Sequence, residues 1–171
     1  APCYGTTETA AMVTVQTPED FLSGQNHAGS ALSDVELRLG ESNVLEIKTQ
    51  RLAKVVNEDG FVRSIEEKNG WWKSGDIAEI LIKDQISSIK IIGRRDTAIN
   101  SGGETVFPER LRVRLLDAAR KKQIPIDEIL LMPIKNEEWG ERLVALVRIN
   151  KQESKNNKTK ILMRLQNIVK N

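Results

Sequence analysis

Four short segments of the chain place glycine next to residues that can bind phosphate, metal ions or sugar hydroxyls. In chain order they are Tyr4-Gly5-Thr6-Thr7-Glu8, Gly75-Asp76, Gly93-Arg94-Arg95-Asp96 and Ser101-Gly102-Gly103-Glu104. Glycine lets backbone amides approach phosphate oxygens closely, and threonine hydroxyls can donate to the same oxygens. A carboxylate can bind Mg²⁺ or accept hydrogen bonds from a ribose diol, and arginine binds phosphate through a fixed fork of donors. Together these residue types fit a site for a nucleotide and its metal ion.

Each segment taken alone also has a purely structural interpretation. The first fits a turn followed by a helix cap, and Asp76 fits a turn in which the carboxylate caps its own backbone. Arg94 and Asp96 fit a surface ion pair, which usually contributes little to stability. The glycine pair at 102 and 103 fits a plain loop with unusual backbone angles. The functional interpretation therefore depends on the four segments occurring together in this order.

The composition is that of an ordinary globular protein and excludes several classes of function. The chain has 171 residues, of which 39% are hydrophobic and 29% charged, and no apolar run approaches the roughly eighteen residues of a membrane span. One histidine, His27, does not supply a Ser/His/Asp or Cys/His nucleophile set, and there is no Cys/His cluster for zinc. A single cysteine, Cys3, and the lack of a secretory signal pattern predict a cytoplasmic location. The start without Met, inside a motif, indicates a piece of a longer protein.

Positive charge is concentrated in the second half of the chain. The basic residues there include Arg110, Arg112, Arg114, Arg120, Lys121, Lys122, Lys151 and Lys160. One interpretation is a solvated helix face and a polar loop, and the other is attraction to a polyanion such as a nucleotide, coenzyme A or nucleic acid. Only 4% of the residues are aromatic, and none is spaced along the basic segment as a platform for stacking bases. Nucleic acid is therefore not expected as a partner, although a non-catalytic nucleic-acid-binding module is the alternative from another class.

Hydrophobic periodicity divides the chain into a β-rich part and a small α+β part. In the first part, a short helix begins at Thr17-Pro18, and strands are predicted over 33–39, 44–49, 77–82 and 89–92, with a turn at Lys83-Asp84-Gln85. In the second part, we predict a helix from Pro108, a strand over 126–132 ended by Pro133, a strand over 143–149, a polar loop over 152–158 and an amphipathic helix over 159–169. The pattern changes at residues 94–96, so we expect units over residues 1–95 and 96–171.

The combined motifs resemble the acyl-CoA synthetase branch of the adenylate-forming acid–CoA ligases. Residues 4–8 resemble that family's phosphate and magnesium motif, residues 70–76 its ribose motif, and residues 93–109 its hinge motif. Residues 138–147 resemble the paired strands of its small C-terminal domain. The resemblance covers nearly the whole chain. It implies an α+β fold, with the β-rich end of a large adenylation domain over residues 1–95 and a small mobile C-terminal domain over 96–171.

The resemblance also implies ligands and roles. The family joins a carboxylic acid to coenzyme A (CoA) with ATP and Mg²⁺, through an acyl-adenylate, so small-molecule substrates are the expected partners. The motifs indicate no oligomeric state. The implied roles are nucleotide binding for Tyr4, Thr7, Asp76 and Arg94, Mg²⁺ binding for Glu8, a hinge at Asp96, and a path for CoA beside Gly102 and Gly103.

Some parts of the family pattern are missing from the chain. The family's catalytic lysine is expected beyond Asn171, and its glycine-rich phosphate loop and acid pocket are expected upstream, so no catalytic residue is expected within the chain. Asn100 stands where many relatives carry lysine or an apolar residue, and it is assigned no role. Residues 7–12 and 17–21 look most like the ligases of menaquinone and phylloquinone synthesis. Fatty or aryl acid–CoA ligases are the alternative.

Overall fold

The chain folds as two compact units. The computed structural model describes residues 2–83, 86–150 and 158–169, and the units are Ala1–Asp96 and Thr97–Asn171. The division lies directly after Asp96, the residue that the sequence assigns as a hinge. The first unit is rich in strands and the second mixes helices with strands, so the expected α+β fold is confirmed.

The first unit contains antiparallel sheets and one short helix. A three-stranded sheet has the order β1-β2-β3, formed by Cys3–Thr6, Ala11–Val15 and Ser30–Ala31. A four-stranded sheet has the order β4-β5-β8-β9, formed by Glu36–Leu39, Val44–Lys48, Trp72–Lys83 and Ile86–Arg94. Strands β6 (Lys54–Val56) and β7 (Val62–Ser64) form a separate hairpin. Helix α1 (Pro18–Leu22) begins where predicted, because Thr17 caps it by accepting a hydrogen bond from the Asp20 amide at 3.1 Å.

The core of the first unit lies around strand β5. Leu45 and Ile47 are fully buried, and they pack with the buried side chains Val13, Val35, Ala78 and Ile89. Val44 and Glu46, which alternate with Leu45 and Ile47, are also buried, so β5 is covered on both faces. Trp72 packs against this core. The buried strand β5 therefore anchors the large sheet. Strand β8 pairs with β5 and carries Asp76, and strand β9 pairs with β8 and carries Arg94.

The second unit packs two helices against a four-stranded sheet. Its sheet has the order β11-β10-β13-β12, formed by Glu104–Val106, Ile99–Ser101, Gly140–Ile149 and Ile126–Asn136. Helices α2 (Pro108–Lys121) and α3 (Lys158–Val169) share one core with this sheet. That core is formed by Leu115, Ala119, Ile124, Ile129, Leu131, Ile161 and Leu165. Within the described ranges, no helix combines the length and the apolar character that crossing a membrane requires.

Several element ends differ from the sequence prediction, and two predicted segments lie partly outside the described residues. Strands β8 and β9 begin at Trp72 and Ile86, before the predicted residues 77 and 89, and β4 begins only at Glu36. Strand β12 does not end at Pro133, which pairs in register with Leu143. Since β12 is an edge strand, the missing amide hydrogen of Pro133 removes no bond that the sheet requires. Helix α3 begins at Lys158, inside the predicted loop. The rest of that loop and the turn residues Asp84 and Gln85 lie outside the described residues.

Candidate nucleotide-binding site

Asp76 lies inside strand β8 and not at its entrance, where the sequence predicted it. The reason is a β-bulge over Ser74, Gly75 and Asp76, since Lys73 pairs with Glu46 but Ile77 pairs with Val44. Gly75 adopts a φ of 78°, which other residues rarely adopt. The residues at this point, Lys73 to Asp76, are polar or glycine, so the hydrophobic pattern showed only the part of β8 after residue 76. Bulges of this kind redirect side chains and are common beside functional sites.

The Asp76 carboxylate is buried and is held by neighbouring groups. The Tyr4 hydroxyl donates a hydrogen bond to Asp76 Oδ2 at 2.5 Å. The Asp76 amide donates to Ser74 Oγ at 3.1 Å, and Ser74 Oγ in turn donates to the Leu45 carbonyl at 2.9 Å. Asp76 is 7% exposed. The Tyr4 bond fixes the direction of the carboxylate and the Ser74 bond holds the backbone of Asp76, which is the rigidity that an acceptor for a ribose diol requires.

Arg94 lies directly opposite Asp76 in the sheet. It is the last residue of β9, and the register pairs it with Asp76. Side chains of opposite residues project from the same face of an antiparallel pair. The Arg94 guanidinium lies 3.7 Å from where a Cβ atom at Gly75 would stand. A cation and a carboxylate acceptor therefore share one face of the sheet beside Tyr4.

Arg94 and Asp96 also form a surface ion pair, as the purely structural interpretation of this segment predicted. Arg94 Nε and Nη2 donate to the two Asp96 carboxylate oxygens at 3.0 and 2.9 Å. Both side chains are more than half exposed. The hydrogen bonds that Arg94 donates to Asp96, and the negative charge of Asp96, raise the pKa of Arg94 above its ordinary value. This bidentate pair orients the guanidinium at the end of β9, where the first unit ends.

Thr7 and Glu8 lie in a tight turn between β1 and β2. Residues Thr7–Thr9 form a 3-10 helix, and the side chains of Thr7 and Glu8 are exposed. Gly5 is required in this turn, because a Cβ atom there would lie 2.1 Å from the Ala11 carbonyl oxygen. The missing side chain of Gly5 thus lets strand β2 pass close to β1 at Ala11.

The residues of this turn fit Mg²⁺ in the manner usual for nucleotide enzymes. Among the described residues, no three or more His, Cys, Asp or Glu side chains gather as a metal centre. Mg²⁺ commonly binds one or two carboxylates together with substrate phosphates and keeps several waters. The exposed Glu8 carboxylate and the exposed Thr7 hydroxyl beside it are groups of the kind that such a site uses.

Gly102 and Gly103 form the turn between β10 and β11 in the second unit. Both adopt positive φ angles, 59° and 85°, as the sequence predicts for an unusual bend. A Cβ atom at Gly102 would lie 2.4 Å from the Trp139 ring, whereas Gly103 has open space around it. Gly102 therefore packs against Trp139, and Gly103 leaves the backbone open to close approach by a thin ligand.

Sequence reasoning did not foresee the contact between Tyr4 and Asp76, nor a role for Arg51. Tyr4 and Asp76 are 72 residues apart, and no local pattern links them. Arg51 stands in a polar stretch with no motif, yet its guanidinium contacts the turn that carries Glu8. The only signal was the position of this arginine shortly after the buried strand β5.

Tyr4 provides a direct spectroscopic test of the buried contact, because it is the only tyrosine of the chain. Burial, and then the hydrogen bond to Asp76, raise its pKa well above the ordinary value of 10.0. We expect no phenolate absorbance in the folded protein near pH 10. The protonated Tyr4 hydroxyl stabilises the folded state through its bond to Asp76. Since the pKa of Tyr4 is raised in the folded state, this stabilisation is present below pH 10 and is lost as the pH rises through the folded pKa. Asp76→Asn should lower the Tyr4 pKa, while Glu79→Gln on the same strand should not; equal titration curves would contradict the contact.

The chain resembles known acid–CoA ligases in sequence. The 2-succinylbenzoate–CoA ligase of Listeria monocytogenes serovar 1/2a is 25% identical over 150 residues, which are 84% of this chain and 29% of that protein. The same ligase of Oceanobacillus iheyensis is 27% identical over 160 residues, 90% of this chain and 32% of that protein. The mitochondrial medium-chain acyl-CoA ligase of Mus musculus is 26% identical over 168 residues, 88% of this chain and 25% of that protein. No protein-family model matches the chain.

The fold is also that of these enzymes. The o-succinylbenzoate CoA synthetase of Bacillus subtilis, in complex with ATP and magnesium ion, matches with a TM-score of 0.67 at 22% identity. The match covers 94% of this chain and 34% of that one. The chain is thus similar, in sequence and in fold, to the adenylate-forming acid–CoA ligases, the class that its motifs predict. Within that class, it is similar in particular to 2-succinylbenzoate–CoA ligase, also called O-succinylbenzoate–CoA ligase, and it spans about a third of that enzyme's length.

Proposed function

We propose that this chain is the nucleotide- and CoA-handling part of an ATP-dependent acid–CoA ligase of the cytoplasm. In this reaction a carboxylate attacks the α-phosphate of ATP, pyrophosphate leaves, and the CoA thiol then displaces AMP from the acyl-adenylate. The observation that carries the proposal is the buried Asp76 carboxylate, which Tyr4 and Ser74 orient on the same sheet face as Arg94. The similarity to acid–CoA ligases over most of the chain supports it independently.

Each residue has a defined task in this proposal. Asp76 accepts hydrogen bonds from the ribose hydroxyls, and Tyr4 keeps the carboxylate directed toward them. Arg94 provides positive charge beside the ribose, and the Thr7 hydroxyl donates to a phosphate oxygen. Glu8 holds Mg²⁺, which when bound neutralises charge on the phosphates.

The second unit and its junction supply the remaining tasks. Asp96 is the hinge, since a few residues at the end of an element can absorb a large domain rotation. The open backbone at Gly103, next to the packed Gly102, lets the pantetheine arm of CoA pass close to the chain. Residues 1–95 then correspond to the end of the large adenylation domain and residues 96–171 to the small mobile domain.

We further propose O-succinylbenzoate as the acid, which would assign the enzyme to menaquinone or phylloquinone synthesis. The similarity to 2-succinylbenzoate–CoA ligases supports this choice. A medium-chain fatty acid is the second candidate, because the mouse medium-chain acyl-CoA ligase is similar to a comparable degree.

The test uses the protein encoded by the complete gene, incubated with ATP and Mg²⁺ and either O-succinylbenzoate or a panel of fatty and aryl acids. We expect acid-dependent pyrophosphate release, followed by a thioester when CoA is added, with O-succinylbenzoate preferred. A preference for another acid would keep the class and discard the proposed substrate. The 171-residue chain alone should make no thioester, because a nucleotide site needs several convergent groups. Thioester synthesis by that chain, or no acid-dependent pyrophosphate from the complete protein, would contradict the proposal.

A further inference from the structure

Arg51 ties the turn that carries Thr7 and Glu8 to the body of the first unit. Its Nη1 donates to the Thr9 carbonyl at 3.1 Å, and its Nη2 donates to the Met12 carbonyl at 3.1 Å. Two residues further on, the Ala53 amide donates to the Glu8 carbonyl at 2.7 Å. The segment from Arg51 to Ala53 therefore holds two carbonyls of the turn, one of which belongs to Glu8 itself, and the Met12 carbonyl at the start of β2.

The turn has a backbone that its own sequence does not favour. Ala10 and Ala11, directly after the 3-10 helix, adopt positive φ angles of 58° and 149°. Alanine rarely adopts such conformations, and they persist only where the surroundings enforce them. Thr9 Oγ1 contributes by donating to the Thr6 and Ala11 carbonyls at 3.0 and 2.9 Å. The two Arg51 contacts bracket the two alanines from outside.

Arg51 is itself anchored by Asp34. Its Nε donates to Asp34 Oδ2 at 2.6 Å, and the guanidinium holds the pKa of Asp34 below its ordinary value. Asp34 therefore remains an anion at neutral pH. The arginine uses three nitrogens on three different partners, which the single ammonium of lysine cannot reproduce.

We propose that Arg51, oriented by Asp34, is a positioning residue that sets the place of Glu8 for the magnesium–phosphate end of the nucleotide. This inference rests on the proposed function, because it concerns the same site. Arg51 acts through the backbone of residues 8–12 and touches no substrate. Its loss should weaken the use of MgATP while leaving recognition of the ribose, which depends on Asp76, unchanged.

The experiment compares Arg51→Gln, Arg51→Lys and Asp34→Asn in the complete protein, with Arg148→Gln as a matched control. Arg148 forms a comparable ion pair with Glu128 in the second unit. Calorimetry measures AMP affinity without metal and the Mg²⁺ concentration at which ATP binding is half-maximal. Hydrogen exchange reports the amides of residues 8–12. For Arg51→Gln we expect the required Mg²⁺ concentration to rise about tenfold, AMP affinity to stay within about twofold, and exchange in the turn to accelerate.

The double variant Arg51→Gln/Glu8→Gln separates positioning from a general structural role. If Arg51 acts through Glu8, the double variant should need no more Mg²⁺ than Glu8→Gln alone. Arg51→Lys should restore little, and Asp34→Asn should resemble Arg51→Gln in a weaker form. An unchanged Mg²⁺ requirement, or a parallel loss of AMP and MgATP binding, would overturn the inference while leaving the proposed function intact. A wild-type protein without Mg²⁺-dependent ATP binding would overturn both.

Discussion

Replacing Asp76 with alanine is expected to weaken the binding of ATP and AMP by about ten- to 150-fold in the complete protein. The change removes a charged hydrogen-bond acceptor, and such bonds contribute about 1.5–3 kcal/mol. The effect should appear equally with and without Mg²⁺, because Asp76 is assigned to the ribose and not to the phosphates. Calorimetric titration with AMP measures it most simply.

Two further variants show whether the lost affinity comes from the missing carboxylate or from a disturbed fold. Asp76→Asn keeps the size of the buried side chain and leaves Tyr4 an acceptor, so it should fold and still bind AMP poorly. Ser74→Ala disturbs the same bulge by removing the bonds to the Asp76 amide and the Leu45 carbonyl. Because Ser74 helps to hold Asp76, we expect Ser74→Ala to lower AMP affinity, but by less than Asp76→Asn. A Ser74→Ala protein that lost as much affinity at equal thermal stability would assign the effect to the bulge and not to the carboxylate.

Replacing Glu8 with glutamine is expected to raise the Mg²⁺ concentration required for ATP use by about tenfold or more. Glutamine has the same shape but lacks the negative charge that a hard cation prefers as a ligand. Glu8 is exposed, so the free energy of unfolding should change by less than about 0.5 kcal/mol.

Glu58→Gln is the matched control for Glu8, because Glu58 is also exposed and lies in the loop between β6 and β7. AMP affinity should be unchanged in both variants. A Glu8→Gln protein with the Mg²⁺ dependence of the wild type would remove Glu8 from the metal site. Equal shifts in both variants would indicate a general effect of surface charge.

Local patterns in the sequence predicted the elements whose stabilising contacts are themselves local. Helix α1 begins at Pro18 because Thr17 caps it, and the helix from Pro108 follows its apolar spacing. The hairpin of β4 and β5 also forms as the alternation indicates. In each case the residues that signal the element are the ones that stabilise it, so sequence alone was sufficient.

Features that depend on distant contacts were not predictable from the sequence. The polar residues before Ile77 belong to β8 only because they pair with β5 across a bulge, and the edge position of β12 allowed Pro133 to remain in a strand. The orientation of Asp76 depends on Tyr4, and the shape of the Glu8 turn depends on Arg51. The motifs therefore indicated which residues form the candidate site, but not what holds them in place.

The central claim is that Asp76 recognises ribose hydroxyls, and a cycle of two proteins and two nucleotides tests it most directly. The affinities of AMP and of its 2′,3′-dideoxy analogue are measured on the wild type and on Asp76→Asn. We predict that the wild type prefers AMP about tenfold or more and that Asp76→Asn binds both nucleotides equally weakly, because the lost hydroxyls and the lost carboxylate remove the same interaction. An undiminished preference for AMP in Asp76→Asn would contradict the account.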